Sequence, residues 1–422
     1  MTKILLYNYL MYIYGFLSTI IFLALLPFYY VVRAVNRKFL YGWREKLGHI
    51  EPQEGKIIML HGVSVGEIIA LENLIRKIKD TFPGYKIMIT TGTKTGQDIA
   101  QKKYSQIADY ITYFPFDVPF AVRAFLNKAK PSVILMAETE IWPTFAFCAH
   151  KKNIPLYIIN GRISDSTFKL YRFLKPFFKN VFSNYTGIFT QSEDDRQKFI
   201  RAGAPPDKTE IMGNLKFDIK KTPGLAVESG YSRIIIAGST HKGEDEIVLD
   251  IFGKLKTKFP DIKLILAPRH PQRVPAVSEL VKNTGLAFGL RSKKDNLVKK
   301  EILLLDTMGE LSRMYSTCDF AFIGGSFNKT GGHNPLEATA YGKPAISGPS
   351  IHNFKDIYGI LTRTGAGKVV KTPQELQNHV EKLLSDPEFY QKACTDCEKV
   401  FLDQQGALEF VIARLMRLDD FC

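Results

Sequence analysis

At 422 residues, the chain is long enough for two ordinary domains, each with its own core. Its 45% hydrophobic and 23% charged residues are those of a globular protein and exclude wholesale disorder. A formal net charge of +15 admits two classes of anionic partner, nucleic acid and membrane.

The run from Ile4 to Val32 contains no Lys, Arg, Asp or Glu. It is longer than the roughly 20 apolar residues that cross a bilayer as a helix. Tyr7, Tyr9, Tyr12, Tyr29 and Tyr30 gather towards its ends, as interfacial aromatics do. No small-residue cleavage site follows, which disfavours a removable signal peptide. Only Lys3 precedes the run, whereas Arg33, Arg37, Lys38, Arg44 and Lys46 follow it. The positive-inside rule then places the rest of the chain in the cytoplasm. Residues 1–35 are thus expected to be a membrane anchor, either spanning the bilayer once or lying in it. The basic and aromatic residues do not form an RNA-binding signature, so no nucleic acid partner is expected.

From residue 50 to about 220, β-type runs alternate with helical ones: Lys56–Leu60, Lys86–Thr90, Val133–Met136, Leu156–Ile159 and Gly187–Thr190. That rhythm predicts a parallel sheet covered by helices, with function at the loops after the strands' carboxyl ends. Three such loops stand out. In His61-Gly-Val-Ser-Val-Gly-Glu67 a carboxylate enters the first turn of a helix. Glu67 there either complements the helix dipole or acts as a general base towards a hydroxyl. In Ala137-Glu-Thr-Glu-Ile-Trp-Pro143 two carboxylates, Glu138 and Glu140, leave a strand together and need a basic or hydroxylic partner. Asn160-Gly-Arg-Ile-Ser164 offers Arg162, whose fork suits a phosphate or carboxylate. Thr91-Gly-Thr-Lys-Thr-Gly96 lacks the Walker spacing and reads as a turn and helix cap. Met212-Gly-Asn-Leu-Lys-Phe-Asp218 closes this half, with Lys216 either facing a site or solvated.

Ile219 to Tyr231 reads as a linker, dividing the chain into domains 36–220 and 221–422. The rhythm then restarts, with strands expected at Arg233–Ala237, Ile262–Ala267, Ile302–Leu305, Phe320–Ile323 and Pro344–Ser347. Polar loops follow four of them: Gly238-Ser-Thr-His241, Pro268-Arg-His-Pro-Gln-Arg273, Asp306-Thr-Met-Gly-Glu-Leu311 and Gly324 to Glu337. All four would lie on one edge of a parallel sheet, as a nucleotide site requires. In the last, glycines let backbone N–H groups approach a ligand, and the loop opens a helix expected over Leu336–Tyr341. Asn334 suits the N-cap, Pro335 the first helical position, and Glu337 either closes a capping box or holds a ribose. Five sparse cysteines, Cys148, Cys318, Cys394, Cys397 and Cys422, fit a reducing compartment. Cys394-Thr-Asp-Cys397 has no second ligand pair, and no metal site is expected.

Taken together, His61–Glu67, Glu138–Pro143, Gly213–Asp218, Pro268–Pro271 and Gly331–Glu337 resemble the bacterial 3-deoxy-D-manno-octulosonic acid (Kdo) transferases of lipopolysaccharide synthesis. The resemblance runs from the apolar segment to about residue 385. It implies an α/β GT-B fold, two Rossmann-like domains facing across a cleft, with the acceptor on the first and the nucleotide on the second. It implies CMP-Kdo as donor, a tetraacylated lipid A precursor as acceptor, inversion at the sugar, no metal or other cofactor, and a place at the bacterial inner membrane. Glu67 matches the family's general base, and Glu138 and Lys216 match its transition-state stabilisers. Pro268, Arg269, Met308, Gly309, Glu310, Leu311, Asn334, Pro335, Leu336 and Glu337 match its CMP site. The chain departs from the family pattern at Gly62, Gly161 and Ala338, beside the motifs, with the charged groups kept. The rival readings are a GT-B transferase using a UDP-sugar and another lipid acceptor, and a non-catalytic membrane-bound nucleotide-binding protein.

Overall fold

A computed structural model describes residues 2–35, 41–219, 223–230 and 233–418. It divides into two compact units, one comprising Met1–Asp218 with Gln404–Cys422, the other Ile219–Asp403. The first unit holds seven parallel strands: β1 (Ile57–Gly62), β2 (Lys86–Thr91), β3 (Tyr110–Tyr113), β4 (Val133–Ala137), β5 (Leu156–Gly161), β6 (Gly187–Thr190) and β7 (Thr209–Ile211), in the order β3-β2-β1-β4-β5-β6-β7. Successive residues of its central strands enter opposite cores. Ile57, Met59, Ile134, Met136 and Ile158 pack on one face, and Ile58, Leu60, Val133, Leu135 and Ile159 on the other. Burial on both faces is why these strands read as unbroken apolar runs.

The second unit repeats the plan with β8 (Arg233–Thr240), β9 (Ile262–Pro268), β10 (Phe288–Leu290), β11 (Ile302–Leu304), β12 (Phe320–Ile323), β13 (Ala345–Ser347) and β14 (Gly367–Val369). Their order is β10-β11-β9-β8-β12-β13-β14, again all parallel. Strand order reverses between β1 and β4 in the first sheet and between β8 and β12 in the second. Those reversals leave a crevice at the carboxyl ends, where open α/β sheets bind ligands.

One boundary differs from expectation. Residues 221–422 do not form a single domain, because the chain from Gln404 onward rejoins the first unit. Ala407, Val411, Ile412 and Leu415 of the helix Ala407–Met416 enter the core built by Leu74, Ile75 and Ile78. Asp218 holds the start of that helix by accepting from the amides of Gly406 and Leu408. An amphipathic helix read from sequence shows its apolar face but not which sheet that face covers. Leu415→Ala is expected to destabilise the first unit by about 2–5 kcal/mol. Hydrogen exchange should show lost protection in β1 and β2 and none in β8 and β9.

The apolar segment forms one helix, Thr2–Val35, of which Tyr9–Phe28 is long and apolar enough to cross a membrane. One side docks on the first unit. Met11 is buried, Tyr12 meets Phe147, the Tyr14 hydroxyl donates to Asp117 at 3.2 Å, and Phe22 packs on Trp43, Phe116 and Phe120. The other side leaves Phe16, Leu17, Ile20, Ile21, Leu25 and Phe28 exposed. Arg37 and Lys38, two of the residues behind the expected orientation, lie outside the described residues, as do 220–222 and 231–232 of the linker.

Candidate active site

In the first unit the site residues converge on the β1/β4 crevice. Ser64 caps the helix Val65–Ala70, and its hydroxyl donates to Glu67 Oε1 at 2.7 Å. The Val63 amide donates to Glu67 Oε2, also at 2.7 Å. Glu67 thus ties down the helix start through the cap's hydroxyl and the preceding amide, so it does serve its helix. The same contacts aim the carboxylate at the crevice. Burial raises its pKa; the bonds from Ser64 and Val63 oppose that rise and the charge of Glu138 adds to it. A desolvated carboxylate with its pKa raised is a stronger proton acceptor than one in water.

Glu138 follows β4 in the left-handed region at φ 57° and is only 6% exposed. Arg162 Nε donates to its Oε2 at 2.9 Å and Lys216 Nζ to its Oε1 at 3.1 Å. The partners that a carboxylate here requires are therefore present, one from the β5 loop and one from the segment after β7. Lys216 is placed by a chain of buried amides. Asn160, left-handed at φ 54°, accepts from the Leu215 amide at 3.0 Å, and its carbonyl accepts from Gln191, which in turn accepts from Asn214. Glu138 and Asn160 are thus two non-glycine residues held in the left-handed region at the carboxyl ends of neighbouring strands. Gln191 was not singled out by the sequence, since it links β6 to a segment more than twenty residues later.

Glu140 accepts from Trp142 Nε1 at 3.0 Å and lies 4.0 Å from Nε2 of His61. His61 is fully buried, its Nδ1 facing the carbonyl and hydroxyl of Thr90, and burial pushes its pKa down to about 3, so it is neutral. Burial, then the charge of Glu67, pushes Glu140 up to about 7 from an ordinary 4.5. The sign follows directly: the unfolded chain loses this proton near 4.5 and the fold keeps it to about 7. The stability cost therefore grows between those values and is complete above them. Glu140→Gln, which cannot ionise, should match the parent near pH 4 and exceed it at pH 8 by up to ~3 kcal/mol in urea denaturation.

In the second unit the first part of the glycine-rich loop, Gly325–Phe327, is held by the protein itself. Glu244, buried at the start of the helix Glu244–Lys258, accepts from the amides of His241 and Gly325 through Oε2 at 2.9 and 2.7 Å. Its Oε1 accepts from Ser326 and Phe327 at 2.7 and 2.8 Å. Three loop amides that would suit an anion are thus already spent on a protein carboxylate. Gly324 fits close under β8: a Cβ there would stand 2.5 Å from the Ser239 carbonyl.

The helix that follows is a single turn, Leu336–Thr339, shorter than expected because Gly342, at φ 72°, turns the chain. So short a helix has little dipole to offer. Asn334 Oδ1 accepts from the Leu336 amide at 3.1 Å, whereas no hydrogen bond among the described residues ties Glu337 to the helix start. Capping is therefore not its role. Burial raises the pKa of Glu337, and the charge of Arg269 opposes the rise. Pro335 and Leu336 are buried, which leaves backbone rather than side chain for a ligand there. Glu310 accepts from Thr307 and from Arg291, Gly309 turns at φ 81°, Met308 is exposed, and Leu311 opens the next helix. Pro268 ends β9 and places Arg269 on the exposed rim. Among the described residues no cluster of three or more His, Cys, Asp or Glu is arranged to hold a metal.

Comparison with known proteins agrees with this architecture. Residues 41–219 match the family model "3-Deoxy-D-manno-octulosonic-acid transferase (kdotransferase)", and residues 239–399 match "Glycosyl transferases group 1". The chain is 34% identical to the 3-deoxy-D-manno-octulosonic acid transferase of Haemophilus influenzae over 85% of this chain and 86% of that one. To the protein of the same name from Chlamydia muridarum it is 32% identical over 91% and 92%. Its fold is similar to the crystal structure of Acinetobacter baumannii MurG, with a TM-score of 0.52 at 13% identity over 86% of this chain and all of the other. With two Rossmann-like units of the GT-B class and motifs matched along most of its length, the chain belongs to the Kdo transferase family of glycosyltransferases.

Proposed function

We propose that the protein transfers Kdo from CMP-Kdo to a tetraacylated lipid A precursor, with inversion at the sugar carbon. The observation that carries the reading is the first-unit cluster: a capped, desolvated Glu67 beside a Glu138 clamped by Arg162 and Lys216. Glu67 removes the proton from the acceptor hydroxyl, the new carbon–oxygen bond forms, and the bond to the CMP phosphate breaks. Lys216, with Glu138 fixing its position, and Arg269 in the second unit offset charge as it develops. Arg269, Glu337 and the Met308–Leu311 loop hold the nucleotide. The reading calls for no metal, since these cations supply the positive charge. The helix Thr2–Val35 anchors the enzyme in the bacterial inner membrane with its catalytic units on the cytoplasmic side, where donor and lipid meet.

Mass spectrometry of lipid recovered after incubation with CMP-Kdo and a tetraacylated precursor tests this. A mass increase by whole Kdo units with matching CMP release is expected, and the number of units added is read at the same time. Release of UDP from UDP-sugars with none of CMP from CMP-Kdo would replace the donor assignment.

A further inference from the structure

Three histidines of the second unit meet beside Arg269. Nε2 of His241 lies 2.9 Å from Nε2 of His333, with the ring planes 11° apart and the centroids separated by 5.2 Å. That is an N–H···N hydrogen bond between nearly coplanar imidazoles. His270 stands edge-on to His241, at 89° and 5.4 Å. Both paired rings are half-buried.

Such a bond fixes its own proton count. Only one proton fits between the facing nitrogens, so in the neutral pair one ring donates and the other accepts. One further proton goes to a free Nδ1, giving an imidazolium bonded to an imidazole, with the bond kept. A second would set N–H against N–H and break it. The pair therefore takes up a single proton and spreads its charge over two rings.

The surroundings decide when it does so. Arg269 and His270 act on both rings, and Arg273 on His241, all against protonation; Glu244 acts in favour. Glu244 is already satisfied by four amides. Burial first, then these cations, hold His333 down to about 4 and His241 below its ordinary value. An anion docked beside Arg269 offsets that cationic field and so favours protonation of the pair.

We propose that the His241–His333 pair is a phosphate-responsive subsite, taking up one solvent proton when the donor's phosphodiester docks beside Arg269 and losing it when the nucleotide leaves. This rests on the reading that the second unit binds the nucleotide. By linkage, uptake of one proton makes the dissociation constant rise by up to tenfold per pH unit above neutrality.

Calorimetry on the full chain in detergent provides the test, with cytidine 5′-methylphosphate as probe. This diester does not titrate near neutrality, whereas a phosphate monoester, with a second pKa of about 6, would add its own protons. Titrations at pH 6.5 and 7.5, each in two buffers of different ionisation enthalpy, give the number of protons taken up. The wild type should take up a measurable fraction of a proton, larger at pH 6.5 than at pH 7.5, with an affinity that weakens accordingly as the pH rises. H241N and H333N should bind with no uptake. Imidazole ¹⁵N shifts of the wild type, which need no variant, should move to the imidazolium pattern on titration. Binding without uptake, uptake that persists in both variants, or unmoved ¹⁵N shifts would overturn the pair's role and leave the nucleotide site standing. A wild type that does not bind the probe sinks the nucleotide-site reading and this inference with it.

Discussion

Glu67→Gln is expected to lower turnover by about 10²- to 10⁴-fold, the usual worth of general-base help. The amide keeps the size of the side chain and one acceptor oxygen, so the contacts with Ser64 and Val63 are weakened but not all lost. What is lost is the ability to accept a proton. Because the nucleotide is assigned to the other unit, CMP affinity measured by calorimetry should stay within about twofold of the parent, a difference well below 1 kcal/mol. Near-normal turnover in this variant would mean that the base is elsewhere. The raised pKa of Glu67 also gives a direction to the pH profile: kcat/KM should fall on the acid side at a pH above the ordinary carboxylate range, since the working form is ionised. That acid limb should vanish with the glutamine.

Glu244→Gln is expected to be nearly as damaging as Glu244→Ala, against the usual ranking of conservative changes. The carboxylate accepts four amide hydrogens, two on each oxygen. A glutamine turns one oxygen into an NH₂ group that faces N–H donors, and alanine leaves all four amides without a partner. A buried donor left unsatisfied costs about 1–3 kcal/mol. The second unit should lose roughly 3–5 kcal/mol in guanidinium unfolding, allowing for relaxation that makes the losses less than additive. CMP affinity should fall with the loop's order, whereas hydrogen exchange in β1 and β4 should not change. Equal stability of Glu244→Gln and the parent would show that the loop does not depend on this carboxylate.

The strands that the sequence left out are the four at the sheet edges: β3, β7, β10 and β14. Each is only three or four residues long and partly exposed, so neither an apolar run nor a clear alternation marks it. The interior strands were legible because burial on both faces demands continuous apolar residues. At the site, charge and loop position were enough to bring Glu67, Glu138, Arg162 and Lys216 into view. The pairing of Lys216 with Glu138 was not, as it joins residues 78 positions apart. Glu244 stayed hidden for a different reason: three acidic residues in a first helical turn, Glu244, Asp245 and Glu246, look like ordinary dipole compensation. Only the fold shows that one of them turns away to accept from a loop some eighty residues later.

The return of residues 404–418 to the first unit has a consequence for biosynthesis. The second unit is in effect an insertion, made in full while the first still lacks the helix that completes its core. During translation, at about 5–20 residues per second, the first unit waits some ten seconds or more with part of its apolar surface uncovered. Over that interval the apolar helix Thr2–Val35 has already emerged. The order of events is then emergence of the apolar helix, closure of the second unit, and last the sealing of the first. A ribosome that stops short of Val411 releases a chain whose first unit lacks Val411, Ile412 and Leu415 from its core.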